Sequence, residues 1–382
     1  MKKIISVLTG LALVAGAAMA DGITFRSWGR GLWNVAANSG DDVVTDMHQS
    51  WGGDAPRTGI SVSGSTENVG FAVDIFANGS GISLGDNALI WVKPIEQIKI
   101  VAGKKDQNEL RGDAAFGLWN WDRIVAVDKM GLEGWTFPEV FDGNGVAVVA
   151  YPVDGLTVGA GIPLSLSGAG ATLENTYAHG ANYAAAYAID GIGTVKAAYM
   201  TKADGTSRDA KKDSTSYGVI AAAFDLTMVD GLYASVGAQI PTASVNEFNS
   251  TIVNAYARYS LDALAVHLAV GTKLNTVDNS KTDDSKYDGN LGFAIGAGAD
   301  YSLDNGIGFF GDVRYANGIY MANTSADKSD DCLTLGLGVE KNFSNGKIGI
   351  AFEGATNNKG RYPLKDNDAF AWEIPVKVEY FF

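Results

Sequence analysis

The stretch FAWEIPVKVEYFF, residues 370–382, decides the fold. Every second residue is apolar or aromatic (Phe370, Trp372, Ile374, Val376, Val378, Tyr380, Phe382), and the intervening set is Ala371, Glu373, Pro375, Lys377, Glu379 and Phe381. Period two describes a strand with one greasy face and one largely wet face. On the greasy face rings stand at both ends and aliphatic residues in the middle, the order expected where a strand crosses a bilayer and its aromatics settle at the two interfaces. The competing reading is an ordinary terminal strand of a β-sandwich, and the other end of the chain bears on the choice.

Residues 1–20, MKKIISVLTGLALVAGAAMA, begin with Lys2 and Lys3, run apolar from Ile4 to Ala15 and end on Ala18-Met19-Ala20. That is the layout of a secretory signal peptide, so a mature chain starting at Asp21 is expected. Removing Lys2 and Lys3 takes the formal charge from −14 to −16, since the segment holds no carboxylate. So acidic a chain is expected to have no nucleic-acid partner. After the signal no run reaches eighteen consecutive apolar residues, which excludes transmembrane helices, although 46% of the chain is hydrophobic. Alternating strands hide their apolarity in this way. Cys332 is the single cysteine; without a partner it reads as a small packing residue at an inward strand position.

In chain order, Ile23 to Ala37 alternates, with Ile23, Phe25 and Trp33 outward and Arg26, Trp28 and Arg30 inward. A polar loop with Asp41, Asp42, Asp46, His48 and Asp54 is expected next. Strands Arg57 to Thr66, Val69 to Asn78, Asn87 to Lys93 and Gln97 to Lys104 follow, with Pro94 at a turn. From Gly143 onward a hairpin unit recurs, as in VAVVAYPVDGLTVGAGI and IAAAFDLTMVDGLYASVGA: apolar strand, short turn with Asp and often Gly, second strand. The opposite connections (163–177, 202–214, 241–247, 275–286, 320–330 and 358–369) are longer and polar. No linker or composition shift divides residues 21–382, so one domain is expected.

A terminal Phe382 with Tyr380 and Val378 before it, behind a signal peptide and a series of alternating strands, resembles bacterial outer-membrane β-barrels of the porin superfamily. The resemblance implies an all-β, antiparallel up-and-down transmembrane barrel with short periplasmic turns and long extracellular loops. It also implies outer-membrane lipid around the wall, recognition of Phe382 by the barrel-assembly machinery, and a homotrimer. The chain lacks the PEFGG-like constriction motif of the most familiar porins, and no subfamily fingerprint transfers. The count of about eighteen strands, with sixteen the neighbouring possibility, keeps both termini on the short-turn side. A soluble β-propeller is the alternative fold, but it has no use for aromatics at both edges of an outward face.

A barrel of this size leaves an aqueous channel. The inward positions carry Arg26, Arg30, Asp74, Lys99, Lys196, Arg258, Asp312, Arg314, Glu340, Lys347, Glu353, Glu373, Lys377 and Glu379, charges that water in a lumen would solvate. Arg26 and Arg30 of the first strand are expected to share a patch with Glu373 and Lys377 of the last. The longest connection, residues 105–142, combines Phe116, Trp119, Trp121 and Trp135 with many charges and is too apolar to stay in water. By the porin resemblance it folds inward and narrows the pore, with Asp113, Trp119, Trp121, Asp122 and Arg123 as constriction residues; a lid over the rim or a subunit contact is the alternative.

Enzymatic signals fail on context. Gly81 to Gly85 matches G-x-S-x-G but is placed in a loop between strands rather than in a strand-to-helix elbow. Gly306 to Gly311 matches G-x-G-x-x-G with no helix after it. His48, His179 and His267 lack metal-ligand spacing, and His267 reads as a wall residue rather than a general base. No catalytic residue, metal or cofactor is expected. The function classes left open are a diffusion channel for ions and small hydrophilic solutes, a sugar-selective channel using Trp119, Trp121 and Trp135, and a surface-exposed adhesin.

Overall fold

The computed structural model describes residues 22–39, 42–47, 57–78, 81–105, 143–164, 181–201, 218–241, 251–274, 291–321, 331–356 and 370–382. The expected signal peptide and all five expected constriction residues lie outside them. The described strands are β1 (Ile23–Ser39), β2 (Asp42–Met47), β3 (Arg57–Ser65), β4 (Val69–Asn78), β5 (Gly81–Ile95), β6 (Ile98–Lys105), β7 (Gly143–Val153), β8 (Leu156–Pro163), β9 (Asn182–Ile189) and β10 (Gly193–Thr201). They continue with β11 (Gly218–Leu226), β12 (Leu232–Pro241), β13 (Thr251–Leu261), β14 (Leu264–Leu274), β15 (Gly292–Ser302), β16 (Ile307–Ala316), β17 (Cys332–Phe343), β18 (Gly346–Ala355) and β19 (Ala371–Phe381). One short helix, α1 (Gly318–Met321), follows β16.

From β3 onward each strand pairs antiparallel with the next, β1 pairs with both β2 and β3, and β19 returns to β1 through Trp28↔Phe381 to Ala37↔Glu373, closing the sheet. Closure removes every edge, the condition a sheet must meet in lipid. Nineteen strand segments make eighteen staves. β2 pairs with the second half of β1 (Trp33↔Met47 to Ser39↔Asp42) and β3 with the first half (Ile23↔Gly64 to Arg30↔Arg57), so the two lie end to end along one edge of β1. This corrects part of the polar loop expected after Ala37: Asp42 and Asp46 lie in a strand paired with β1, while Asp41, His48 and Asp54 lie outside the described residues.

The outer face carries the expected bilayer pattern. Exposed aliphatics such as Leu268, Leu335, Leu337 and Ile350 occupy the middle of their strands. Outward rings stand near the short turns (Tyr187, Tyr259, Tyr301, Phe309, Tyr380) and again near the opposite ends (Tyr183, Phe293, Tyr315), with Phe293 and Tyr315 5.7 Å apart. Turn chemistry explains the short side. Gly155, Gly191 and Gly231 take positive φ (77°, 67° and 75°) after Asp, and in the turn after β13 Asp262 itself adopts φ 49°, which its short polar side chain tolerates.

β5 starts earlier than expected. Gly81 to Gly85 is strand, paired with Ile75 to Asn78, so the G-x-S-x-G match sits in the barrel wall. A bulge opposite Asp74 makes this extension possible: the Asp74 carboxylate accepts the Asn87 backbone N–H at 2.9 Å and its Nδ2 at 2.8 Å, replacing the ladder bonds the bulge breaks. Pro94 belongs to the irregular end of β5, and the turn proper is Glu96-Gln97.

Candidate functional site

The lumen wall follows from strand register. One continuous rung of register partners runs Ala37, Glu373, Glu353, Gly336, Asp312, Gly298, His267, Arg258, Tyr233, crossing β1, β19 and then β18 down to β12. Antiparallel partners share a face, so every side chain in the rung points inward. The opposite sector is smoother: on β8 to β12 the inward positions are mostly Gly159, Gly161, Ala184, Ala186, Ala198, Ala221, Ala223 and Gly237. Within it Lys196 and Asp225 form one ion pair.

The densest charge cluster joins β1, β19, β18 and β17. Arg30 Nε donates to Glu379 Oε1 at 2.6 Å; Lys347 lies 2.9 Å from Glu340 and 3.7 Å from Glu379; Lys377 lies 3.5 Å from Glu379. The expected patch is therefore corrected in membership. Register sets Arg30 against Glu379, whereas Glu373 lies opposite Ala37 on one side and Glu353 on the other. Arg26 faces Ser61 and is exposed.

A second correction concerns water. Asp74, Asp312, Arg314, Glu353, Glu373 and Lys377 are buried, with Glu353 and Glu373 at 0% exposure, so this arc is not uniformly wet. Arg314 Nε reaches Asp312 Oδ1 at 3.2 Å, and Lys377 reaches Glu379, so charges here are partly compensated by one another.

Aromatic and polar contacts complete the wall, joining Trp28, Lys99 and His267, which the sequence placed there, to Phe76, Arg57, Lys93, Trp91, Tyr256 and Asp300, which it did not. Trp28 meets Phe76 edge-on at 5.4 Å, and the Arg57 guanidinium lies 4.2 Å from the Phe76 centroid and 5.7 Å from that of Trp28. Lys99 and Lys93 flank Trp91 at 5.5 and 5.8 Å. His267 bridges Tyr256 Oη (2.8 Å from Nδ1) and Asp300 Oδ2 (2.7 Å from Nε2). Arg57, Asp225 and Asp300 share the inward parity of Ser61, Ala223 and Gly298, which register places on the lumen face. Arg258 faces both His267 and Tyr233.

The connection expected as loop 320–330 begins by turning inward. Asn317 Oδ1 accepts the backbone N–H of Tyr320 and of Phe293, both at 3.0 Å, and so caps α1. Tyr320 packs with Tyr256, Ala269, Ala294, Ala316, Cys332 and Ala355, all inward residues, and Lys273 Nζ donates to its carbonyl at 2.6 Å. Small wall residues make room for the ring; at Gly271 an added Cβ would fall 2.6 Å from the Tyr320 hydroxyl. Cys332 is the buried packing residue expected of it.

No protein-family model and no curated protein sequence matches the chain. In three dimensions it is similar to Wzi of Escherichia coli, described as an outer membrane carbohydrate-binding β-barrel involved in group 1 capsule assembly (TM-score 0.56, 10% identity, covering 97% of this chain and 87% of that one). It is equally similar to OccK5 (OpdH) of Pseudomonas aeruginosa (TM-score 0.56, 13% identity, 94% and 98% covered) and also to an anion-selective porin from Comamonas acidovorans (0.51, 13%, 94% and 100%). The chain has the fold of the outer-membrane β-barrel porins.

Proposed function

We propose that the protein is a porin: a water-filled channel of the outer membrane for passive diffusion of ions and small hydrophilic solutes, with no catalytic step. One observation carries the reading. Eighteen staves close around an inner face that bears ion pairs on both sides of the ring, Arg30–Glu379 on one and Lys196–Asp225 on the other, while the outer face is apolar. A barrel of this circumference exceeds what its own wall side chains fill. In this reading the apolar and charged residues of 106–142, among them Asp113, Trp119, Trp121, Asp122 and Arg123, narrow the pore, and the barrel assembles as a homotrimer.

Refolded protein in planar bilayers should give discrete conductance steps. Correctly folded protein that stays electrically silent would remove the channel reading and favour the adhesin. A sugar-selective channel is the second reading, favoured by the inward Trp28 and Phe76 rings, whose faces suit sugar rings. It predicts that oligosaccharides block the ion current, which a nonspecific pore would barely register.

A further inference from the structure

We propose that His267 and Asp300 form a proton-sensitive selectivity element in the lumen wall, held in register by Tyr256, that sets how strongly the channel prefers cations. The inference rests on the channel reading for its consequence and on the wall geometry for its chemistry. A carboxylate only accepts hydrogen bonds, so the 2.7 Å contact to Asp300 places a proton on His267 Nε2, and Nδ1 of the neutral ring then accepts from the Tyr256 hydroxyl at 2.8 Å. The two contacts fix both tautomer and ring plane. A second proton enters at Nδ1 and requires only that the Tyr256 hydroxyl turn from donor to acceptor.

The charge consequence is specific. His267 is buried, its side chain 6% exposed, but Asp300 presents 41% of its side chain to the lumen. With a neutral imidazole the pair carries −1, which passing ions meet at Asp300; with an imidazolium it carries 0. Histidine is the side chain that ordinarily changes charge between about pH 5 and 8, whereas carboxylates titrate lower. The charged groups around the ring are defined: Arg258 on β13 is its register partner, Asp300 on β15 is its hydrogen-bond partner, and Asp312 on β16, paired with Arg314, stands one rung position beyond Gly298. Tyr256 and, behind it, Tyr233 at 6.1 Å complete the surroundings, with Tyr320 of α1 packed in the cluster that holds Tyr256. Acidification therefore removes one lumen carboxylate charge without protonating a carboxylate.

The test is the reversal potential of the full-length protein in planar bilayers under a potassium chloride gradient at pH 8 and pH 5. The cation-to-anion permeability ratio should fall about two- to fourfold on acidification: one charge acting through water on an ion roughly 10 Å away is worth about twofold on the cation and, in the opposite sense, on the anion, before salt screening. His267→Gln should show a clearly smaller step than wild type, and Asp300→Asn should show at pH 8 a ratio shifted toward the one wild type reaches at pH 5. A step of unchanged size in His267→Gln, or no step in conducting wild type, overturns the proposal. Wild type that folds yet does not conduct removes the channel reading instead, and then nitrogen-15 spectra of histidine-labelled protein decide, with His267→Gln giving the assignment. An Nε2–H tautomer at pH 8 and an imidazolium at pH 5 uphold the element; an Nδ1–H tautomer, or a ring neutral at pH 5, overturns it.

Discussion

The indole of Trp28 lies across Gly59, its register partner on β3, in the volume a Cβ at position 59 would occupy. The glycine lets the ring reach Phe76 on the next strand and lets Arg57 stack over both. Gly59→Ala should push the ring off this seat, because packed interiors do not absorb an added methyl without displacement. The expected cost is about 1–3 kcal/mol, read as a lower midpoint in urea-driven unfolding from detergent micelles, together with a shift in tryptophan emission.

Glu379 is the hub of the charge cluster on β1, β17, β18 and β19, and Lys377 beside it is almost wholly buried. Removing one partner of a buried pair leaves the other charge desolvated, so Glu379→Gln should destabilise the barrel by about 3 kcal/mol, the low end for such pairs because Glu379 keeps some solvent contact. Asp225→Asn removes an equally shielded carboxylate, but its partner Lys196 keeps 21% of its side chain in solvent where Lys377 keeps 2%, so the cost should be smaller, about 1 kcal/mol. Equal midpoints for the two variants in equilibrium unfolding would contradict this ordering.

The α1 cap offers a pH-dependent counterpart. Asp331 lies outside the strands and accepts the Tyr315 hydroxyl at 2.5 Å and the Gly318 N–H at 2.9 Å; the Tyr315 bond first, then that N–H, hold its carboxyl below the usual range. A carboxylate depressed in the folded state contributes stability that is present above its unfolded value and lost as pH falls through the folded value. The latch should therefore persist at neutral pH and open only in acid below the ordinary carboxylate range. Tyr315→Phe should raise the Asp331 midpoint in a carbon-13 side-chain titration, and an unmoved midpoint would show that the hydroxyl is not the main cause.

The stave pattern was legible because period two survives in every hairpin, and Asp-Gly pairs at 154–155 and 230–231 mark short turns. Inward parity of the ionisable residues was legible for the same reason. Pairing was not: Arg30 meets Glu379 rather than Glu373 because β1 and β19 are joined at one register among several that the alternation permits, and a bulge between Asn34 and Ala36 shifts it midway. The Tyr256–His267–Asp300 relay joins β13, β14 and β15 at a spacing no linear motif encodes. The inward turn of α1 depends on small residues contributed by four strands, Ala294, Ala316, Cys332 and Ala355, so no local stretch announces it.

Ion selectivity brings wall and loops together. The eight cations and six carboxylates read as inward from the sequence are joined by Arg57, Lys93, Lys105 and Lys273 on one side and Asp225 and Asp300 on the other, so the described wall stays net positive. With an expected mature charge of −16, the excess of carboxylates falls in loops and turns, where it draws cations to the mouth within a Debye length of about 8 Å at physiological salt. We expect a mild cation preference at pH 8 that weakens as salt rises, because charge at an open mouth is screened more readily than charge at a narrow point. Reversal potentials from 0.1 M to 1 M potassium chloride check it. Anion selectivity that persists at high salt would contradict the mouth-charge account and point to Arg111, Arg123 and Lys129 of the longest connection crowding the narrowest part of the pore.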